Sequence, residues 1–247
     1  MIKKRSKTAK TRKWIFVLIF TIMFITGALV WMSQSYDYGE LATQALESNE
    51  KIEVNNKDYI EFKPKNSNKK EGFIFYPGAK VEPESYAPLC KKISEAGYTV
   101  VIVPMPLNFA IFDSDKGKNV IEKFPEIETW AIGGHSLGGV MACKYAIEEP
   151  KIKAIVLYAS YPQGDELEES DKKVLSIWGD KDGVASPEKI KGAALPSDTK
   201  YVEISGGNHA QFGDYGEQRL DNKADISGEE QVDIAAAATI DLLNSLK

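Results

Sequence analysis

The amino-acid sequence predicts an α/β domain with a doubly wound, mostly parallel sheet, preceded by one N-terminal transmembrane helix. In the domain, short apolar runs alternate with stretches of helical periodicity, the pattern of strands joined by crossover helices. Ahead of it stand nineteen uncharged residues, 14–32. About 210 residues remain after this segment, which is enough for one domain of ordinary size.

The N-terminal segment joins a basic cluster to this apolar run. Residues 1–13 carry seven positive charges and no acidic side chain. A helix over residues 14–32 would be ~28 Å long, close to the thickness of the hydrocarbon core of a bilayer. The positive-inside rule then predicts a cytoplasmic tail at 1–13, a signal anchor at 14–32 and an extracytoplasmic domain at the cell membrane. A cleaved signal peptide is the alternative, but its apolar core usually has only ~7–15 residues.

Charge and cysteine content exclude several classes of function. The net charge is -5 although the first thirteen residues are strongly basic, so the rest of the chain is acidic. An acidic domain repels phosphates, and no nucleic-acid partner is predicted. Cys90 and Cys143 lie in helical stretches and are predicted to be buried thiols rather than a disulfide. No CxxC motif or His/Cys cluster indicates a metal, and no cofactor is predicted.

Hydrophobic periodicity predicts the elements of the domain. Residues 33–50 are interpreted as a stalk, with a first helix near Leu41 as the alternative, and the domain itself as residues 51–247. Alternation over residues 52–62 predicts a hairpin that turns around Asn55 and Asn56. Apolar runs predict strands at 72–76, 98–103, 129–132, 154–158, 174–178 and 201–204. Periodic stretches predict helices at 85–96 and 137–149, and a capping box of Ser227 and Glu230 predicts a C-terminal helix.

The segment Gly134-His135-Ser136-Leu137-Gly138 matches the pattern G-x-S-x-G. The pattern arises by chance in roughly one chain in ten of this length, and an ordinary glycine-rich turn is the competing interpretation. Its context is more specific, because it follows an apolar strand and opens a helix, the setting of a nucleophile elbow. Flanking glycines allow the tight turn, and the serine hydroxyl stands at the positive end of a helix. Ser136 is therefore the predicted nucleophile.

A serine nucleophile needs a base, and the chain has only two histidines. His135 adjoins the serine and is expected to pack or hydrogen-bond locally. His209 follows the last strand, at the sheet edge where catalytic groups of α/β proteins gather, and is the predicted base. Both Asp180 and Asp182 follow the strand at 174–178 and are candidates for the acid. Asp182 is favoured as the residue that orients the imidazole, and Asp180 as a turn cap.

An acyl-transfer site also needs two N–H groups that stabilise an oxyanion. Leu137, directly after the nucleophile, is predicted to supply one. Ala79 is predicted to supply the other from the loop after the strand at 72–76, where Gly78 lets the backbone approach closely. The stretch 108–112 follows another strand's C-terminal end and is predicted to line the pocket, with Asn108 and Phe109 binding substrate; plain core packing is the alternative.

Together these segments resemble the compact, dienelactone-hydrolase-like branch of the α/β-hydrolase family, from about Phe73 to the C-terminus. The resemblance implies an α/β-hydrolase fold with Ser136, Asp182 and His209 as the triad. Dienelactone hydrolases have a cysteine nucleophile where this chain has serine, so the branch implies little about substrate. The matching stretches are YPGA (76–79), VPMPLN (103–108), GGHSLGG (133–139), IWGDKDG (177–183) and GGNHAQFGDY (206–215).

The predicted function is a membrane-anchored, carboxylesterase-like serine hydrolase acting on small ester, thioester or amide substrates. An acyl transferase with the same triad and a non-catalytic binding domain are the alternatives. Residues 163–173 are eleven mostly charged residues, too few for a helical lid with an apolar underside. The domain is therefore expected to lack a cap, to have an open site and to prefer short acyl groups.

Overall fold

A computed structural model describes residues 5–246, and the chain divides into two compact units between Ser35 and Tyr36. In the first unit, helix α1 (Arg5–Ser33) contains a segment, Thr11–Ser33, that is long and apolar enough to cross a membrane. The predicted anchor at 14–32 lies within it. Part of the predicted basic cluster, including Lys3 and Lys4, lies outside the described residues.

The second unit is built on one sheet that has eight strands within the described residues. The strands are β1 (Ile52–Asn56), β2 (Ile60–Pro64), β3 (Glu71–Tyr76), β4 (Thr99–Ile102), β5 (Thr129–His135), β6 (Ile152–Tyr158), β7 (Lys173–Gly179) and β8 (Lys200–Ile204). Their order is β1-β2-β4-β3-β5-β6-β7-β8. Strand β2 runs antiparallel to β1 and β4, and every other neighbouring pair is parallel. The predicted fold class is confirmed.

Helices cover both faces of this sheet. The helices of this unit are α2 (Glu40–Ala45), α3 (Ala87–Glu95), α4 (Gly117–Lys123), α5 (Leu137–Glu148), α6 (Pro187–Lys191) and α7 (Gly228–Asn244). Side chains of β3 alternate between two apolar clusters: Phe73 and Phe75 pack with α3 and α7, and Ile74 and Tyr76 pack with α4 and α5. Because helices bury both faces of the sheet, the central strands are continuous apolar runs in the sequence.

Two predicted boundaries differ from the structure. The hairpin turns at residues 57–59, because Asn55 and Asn56 continue the ladder and Asn56 pairs with Ile60. The predicted stalk at 33–50 also differs, since residues from Tyr36 onward are part of the compact unit. Tyr36 forms a parallel bridge with Val81, and Ala42 of α2 is fully buried. The first helix, the alternative interpretation, is present.

The connection between β6 and β7 contains no helix over residues 159–172. Leu167 is fully buried and fixes this connection to the core, whereas the acidic residues around it are exposed. The segment is therefore a solvated loop, and it forms no cap, as predicted. Cys90 and Cys143 are free, buried thiols.

Candidate active site

Ser136 occupies the turn between β5 and α5 with φ of 51° and ψ of -123°. A positive φ is uncommon for a residue with a side chain, and such a conformation costs on the order of 1–3 kcal/mol. Two contacts with the end of β6 hold the turn. The Ser136 N–H donates to the Tyr158 carbonyl at 3.0 Å, and the Ser160 hydroxyl donates to the Ser136 carbonyl at 2.7 Å. The strained backbone is thus fixed from both sides of the serine.

The glycines that flank Ser136 are required by close packing. A Cβ on Gly138 would lie 2.2 Å from the Tyr76 carbonyl oxygen and 2.4 Å from that of Pro77. A Cβ on Gly134 would lie 2.4 Å from the carbonyl carbon of Gly138. These are backbone atoms that cannot move aside, so glycine alone lets α5 begin this close to β3 and β5. This agrees with the steric reason inferred from the motif.

Asp182 and His209 form a buried pair beyond the ends of β7 and β8. His209 Nδ1 lies 2.8 Å from Asp182 Oδ2, and both side chains are inaccessible to solvent. The other carboxylate oxygen, Oδ1, accepts hydrogen bonds from the N–H groups of Val184 and Ala185 at 2.8 and 2.7 Å. Both oxygens of Asp182 are therefore engaged, and the carboxylate fixes the orientation of the imidazole.

The second nitrogen of His209, Nε2, is buried and makes no hydrogen bond within residues 5–246. When Nδ1 carries the proton toward Asp182, Nε2 is an acceptor. Buried acceptors normally have a partner, so this nitrogen is available to a hydroxyl group. The His209 ring is 4.4 Å from the ring of His135, the residue before Ser136. The structure thus brings Ser136, Asp182 and His209 to one edge of the sheet.

Helix α7 holds the loop that carries His209. The fully buried Gln231 side chain accepts from the Asn208 N–H at 2.9 Å and donates to the Asn208 carbonyl at 2.7 Å. Asp180 caps the same loop from the other side, because its Oδ1 accepts the Gly206 N–H at 2.7 Å. The sequence predicted that Asp180 caps a turn, whereas no motif in the sequence pointed to Gln231.

The loop after β3 holds Ala79 between two fixed residues. The Gly78 N–H donates to the Tyr86 hydroxyl at 3.0 Å, and the Lys80 N–H donates to the Asn108 carbonyl at 2.9 Å. Among the described residues, the Ala79 N–H has no hydrogen-bond partner. Leu137 is the first residue of α5, so its N–H also lacks a helical acceptor. The two predicted oxyanion donors are both uncommitted.

Tyr86 links this loop to the elbow. Besides accepting from Gly78, its hydroxyl lies 2.8 Å from His135 Nδ1, and both side chains are buried. Burial lowers the pKa of His135 well below its ordinary value, and the adjacent His209 lowers it further, so His135 is neutral. Burial raises the pKa of Tyr86, which keeps its proton available to Nδ1. His135 thus packs and hydrogen-bonds locally, as expected, whereas sequence reasoning missed Tyr86 and Ser160.

The sequence model of the alpha/beta hydrolase family matches residues 72–233, more than half of the chain. The chain belongs to the alpha/beta hydrolase family. Comparison with curated protein sequences found no match.

Solved structures share the fold of this α/β hydrolase at low sequence identity. A predicted CIB-like hydrolase from Thermoplasma acidophilum is 17% identical, with 77% of this chain and 96% of that chain covered and a TM-score of 0.54. An esterase from Pyrobaculum calidifontis is 17% identical, with 82% and 88% covered and a TM-score of 0.56. A membrane phospholipase A described as a bacterial virulence factor is 12% identical, with 94% and 99% covered and a TM-score of 0.59. Esterases and lipolytic enzymes recur among such structures.

The predicted substrate residues of this α/β hydrolase lie in the segment after β4, which is hydrogen-bonded to the loop that holds Ala79. Asn108 is half-buried and its carbonyl accepts from Lys80. Phe109 is also half-buried, with its ring 5.9 Å from that of Phe112. Their contact with substrate stays a prediction. Within residues 5–246, no group of three or more His, Cys, Asp or Glu side chains is placed to hold a metal ion.

Proposed function

We propose that this α/β hydrolase is a carboxylesterase-like serine hydrolase that cleaves small ester, thioester or amide substrates. Ser136 is the nucleophile, His209 the base and Asp182 the residue that orients the base. One observation supports this most: a serine held at positive φ shares a sheet edge with a buried Asp–His pair whose Nε2 is free. An activated serine needs this arrangement.

The geometry supports acyl transfer in two half-reactions. Ser136 Oγ attacks the carbonyl carbon while His209 Nε2 takes its proton, and Asp182 stabilises the resulting imidazolium. The N–H groups of Leu137 and Ala79 donate to the oxyanion. His209 then returns the proton to the leaving group, which gives an acyl-enzyme. Water attacks the acyl-enzyme with the same base, and the acid product and free Ser136 are released.

The proposed enzyme is anchored by α1, with its catalytic domain on the extracytoplasmic side. The support is the apolar segment Thr11–Ser33 together with the basic residues that precede it. Cytoplasmic flanks carry an excess of Lys and Arg, so this arrangement orients the N-terminus inward.

Labelling by a fluorophosphonate probe tests the proposed nucleophile, since the probe needs an activated serine. In the full-length protein, Ser136→Ala should abolish both labelling and hydrolysis of p-nitrophenyl esters, with the circular dichroism spectrum unchanged. Ser205→Ala is the matched control, because Ser205 is exposed, and it should label like the wild type. Labelling of Ser136→Ala at the wild-type rate would exclude Ser136. Ester formation with an added alcohol, in preference to hydrolysis, would indicate a transferase instead.

A further inference from the structure

Four exposed apolar side chains lie in two segments that border the proposed site. Among the described residues after α1, Leu220, Ile111 and Phe112 are the three most exposed large apolar side chains, at 78%, 57% and 51%, and Leu107 is 46% exposed. We call these four residues the apolar rim. Three of them lie in the segment after β4 and one in the loop before α7. Apolar side chains that are exposed in neighbouring segments can form a contact surface.

Both parts of the rim border catalytic segments. Asn108, next to Leu107, accepts from Lys80, which follows the predicted oxyanion donor Ala79. The short helix that holds Ile111 and Phe112 contacts α5, which begins directly after Ser136. On the other side, the Leu220 carbonyl lies so close to Gly183 that a Cβ there would be 2.6 Å from it, and Gly183 follows Asp182.

Both parts of the rim also connect to Tyr36, where the domain begins. The Tyr36 N–H donates to the Lys80 carbonyl at 2.6 Å, and Lys80 donates in turn to Asn108. The Arg219 N–H, next to Leu220, donates to the Tyr36 hydroxyl at 3.4 Å. The entry point of the chain is therefore tied by hydrogen bonds to the two segments that carry the rim.

Chain length restricts how far Tyr36 can be from the end of α1. Only Gln34 and Ser35 separate Ser33, the last residue of α1, from Tyr36. Three Cα steps span at most about 11 Å, even when fully extended. A membrane that holds α1 would thus have its surface within about a nanometre of Tyr36. The rim, being tied to Tyr36, belongs to the part of the domain that this restriction brings near the lipid.

We propose that the apolar rim docks into the interfacial layer of the bilayer that holds α1, so that the site takes esters resident in that layer. This rests on the proposed membrane anchor. Apolar side chains at the interface are stabilised by removal from water. Asp113 and Asp115 follow the rim and would be repelled by anionic lipid. The docking is therefore apolar, and it should be no stronger on anionic than on zwitterionic vesicles.

Site-specific fluorescence in the full-length protein tests the docking. Cys90 and Cys143 are buried, with thiol pKa values raised by burial, so an introduced cysteine is the reactive one. Ile111→Cys carries an environment-sensitive dye, and Ile234→Cys, at an exposed position on the outer side of α7, is the matched control. After reconstitution into phosphatidylcholine vesicles, nitroxide-labelled lipid should quench the dye at 111, and aqueous iodide the dye at 234.

The outcomes separate docking from the other proposals. Equal quenching of both dyes by iodide, with none by lipid nitroxide, would overturn the docking. Protection of position 111 from both quenchers would also overturn it, and would indicate a protein partner or a second copy. Vesicle flotation tests the anchor. If the protein does not float with the vesicles, both the anchor and the docking are excluded. Fluorophosphonate labelling reports on Ser136 independently of both, and a Leu220→Cys dye repeats the test in the other segment of the rim.

Discussion

Asp180 and Asp182 are two residues apart but hold different partners. Asp182 bonds to His209 and to two backbone N–H groups, whereas Asp180 accepts the N–H of Gly206. The same side-chain type therefore orients an imidazole in one position and caps a turn in the other. Replacing each aspartate by asparagine leaves the size of the side chain almost unaltered, so the kinetics of the two variants can separate the role of Asp182 from that of Asp180.

We expect Asp182→Asn to lower kcat about 10⁴-fold, since an amide cannot hold the imidazole in the tautomer that leaves Nε2 free. Asp180→Asn keeps an oxygen acceptor for Gly206 and should change kcat little. Steady-state hydrolysis of p-nitrophenyl acetate measures both variants. A large loss in Asp180→Asn together with a small one in Asp182→Asn would transfer the role to Asp180.

Tyr86 offers a second test, because it positions a loop without touching the reacting atoms. Tyr86→Phe leaves the buried Gly78 N–H without its acceptor, at a cost of ~1–3 kcal/mol. We expect about half of that cost to appear as a displacement of Ala79 from the oxyanion, which lowers kcat about two- to twelvefold with KM unchanged. Tyr98→Phe, which loses a hydrogen bond to Asn244 far along the chain, is the control for stability. Equal kcat values in the two variants would contradict the positioning role.

The site residues divide into those that the sequence could predict and those that it could not. Ser136 stands in a motif, and His209 and Asp182 follow apolar strands, whose C-terminal ends share one sheet edge. Tyr86 and Ser160 stand in no motif. Their contacts join residues 49 and 24 positions apart, and only the folded chain brings these together. The free N–H of Ala79 likewise depends on partners, Tyr86 and Asn108, that the motif does not contain.

At the scale of the elements, the central strands were predictable because both of their faces are buried. Helix α4 and helix α6 were not predicted, because seven and five residues are too few for a clear helical period. The hairpin turn was misplaced because asparagines favour turns by propensity. Here the pairing of Asn55 and Asn56 with β2 outweighs this turn propensity. The Asn55 side chain also donates to the Glu61 carboxylate at 3.4 Å.

That hairpin carries a buried carboxylate with a pH-dependent contribution to stability. Burial raises the pKa of Glu61, but hydrogen bonds from Lys123 and Lys63 lower it by more, so the net pKa is below its ordinary value. A pKa lowered by folding means that the ionised group stabilises the fold above the pKa of the unfolded chain, ~4.3. This contribution is lost as the pH falls through the lower, folded-state pKa.

Glu61→Gln should therefore reduce the free energy of unfolding by about 1–2 kcal/mol at pH 7, where Lys123 and Lys63 lose their charged partner. The difference from wild type should shrink as the pH falls below about 4. Glu229→Gln is the control, since Glu229 is exposed and lies 4.0 Å from Lys92. Thermal melting of the three proteins at pH 7 and near pH 3 measures the effect. A constant difference at both pH values would show that charge is not the cause.

For the whole molecule, the short connection between β6 and β7 leaves the site without a cap. A long acyl chain would have no enclosed apolar wall to bury it, so we expect kcat/KM to fall from p-nitrophenyl butyrate to palmitate. Rates across acetate, butyrate, octanoate and palmitate test this. A rise toward palmitate would indicate an acyl pocket that the loop at 159–172 does not provide.

The two-residue link before Tyr36 also governs encounter rates. A soluble hydrolase meets a membrane ester at a rate set by diffusion through the aqueous phase. In the proposed anchored enzyme, the chain holds Tyr36 within about a nanometre of the lipid, so the domain meets that ester as if within one molecule. The ester concentration that the site meets is then fixed by the density of ester in the membrane, and diluting the vesicles does not change it. Such an enzyme would turn over esters of its own membrane and leave those of a neighbouring vesicle intact.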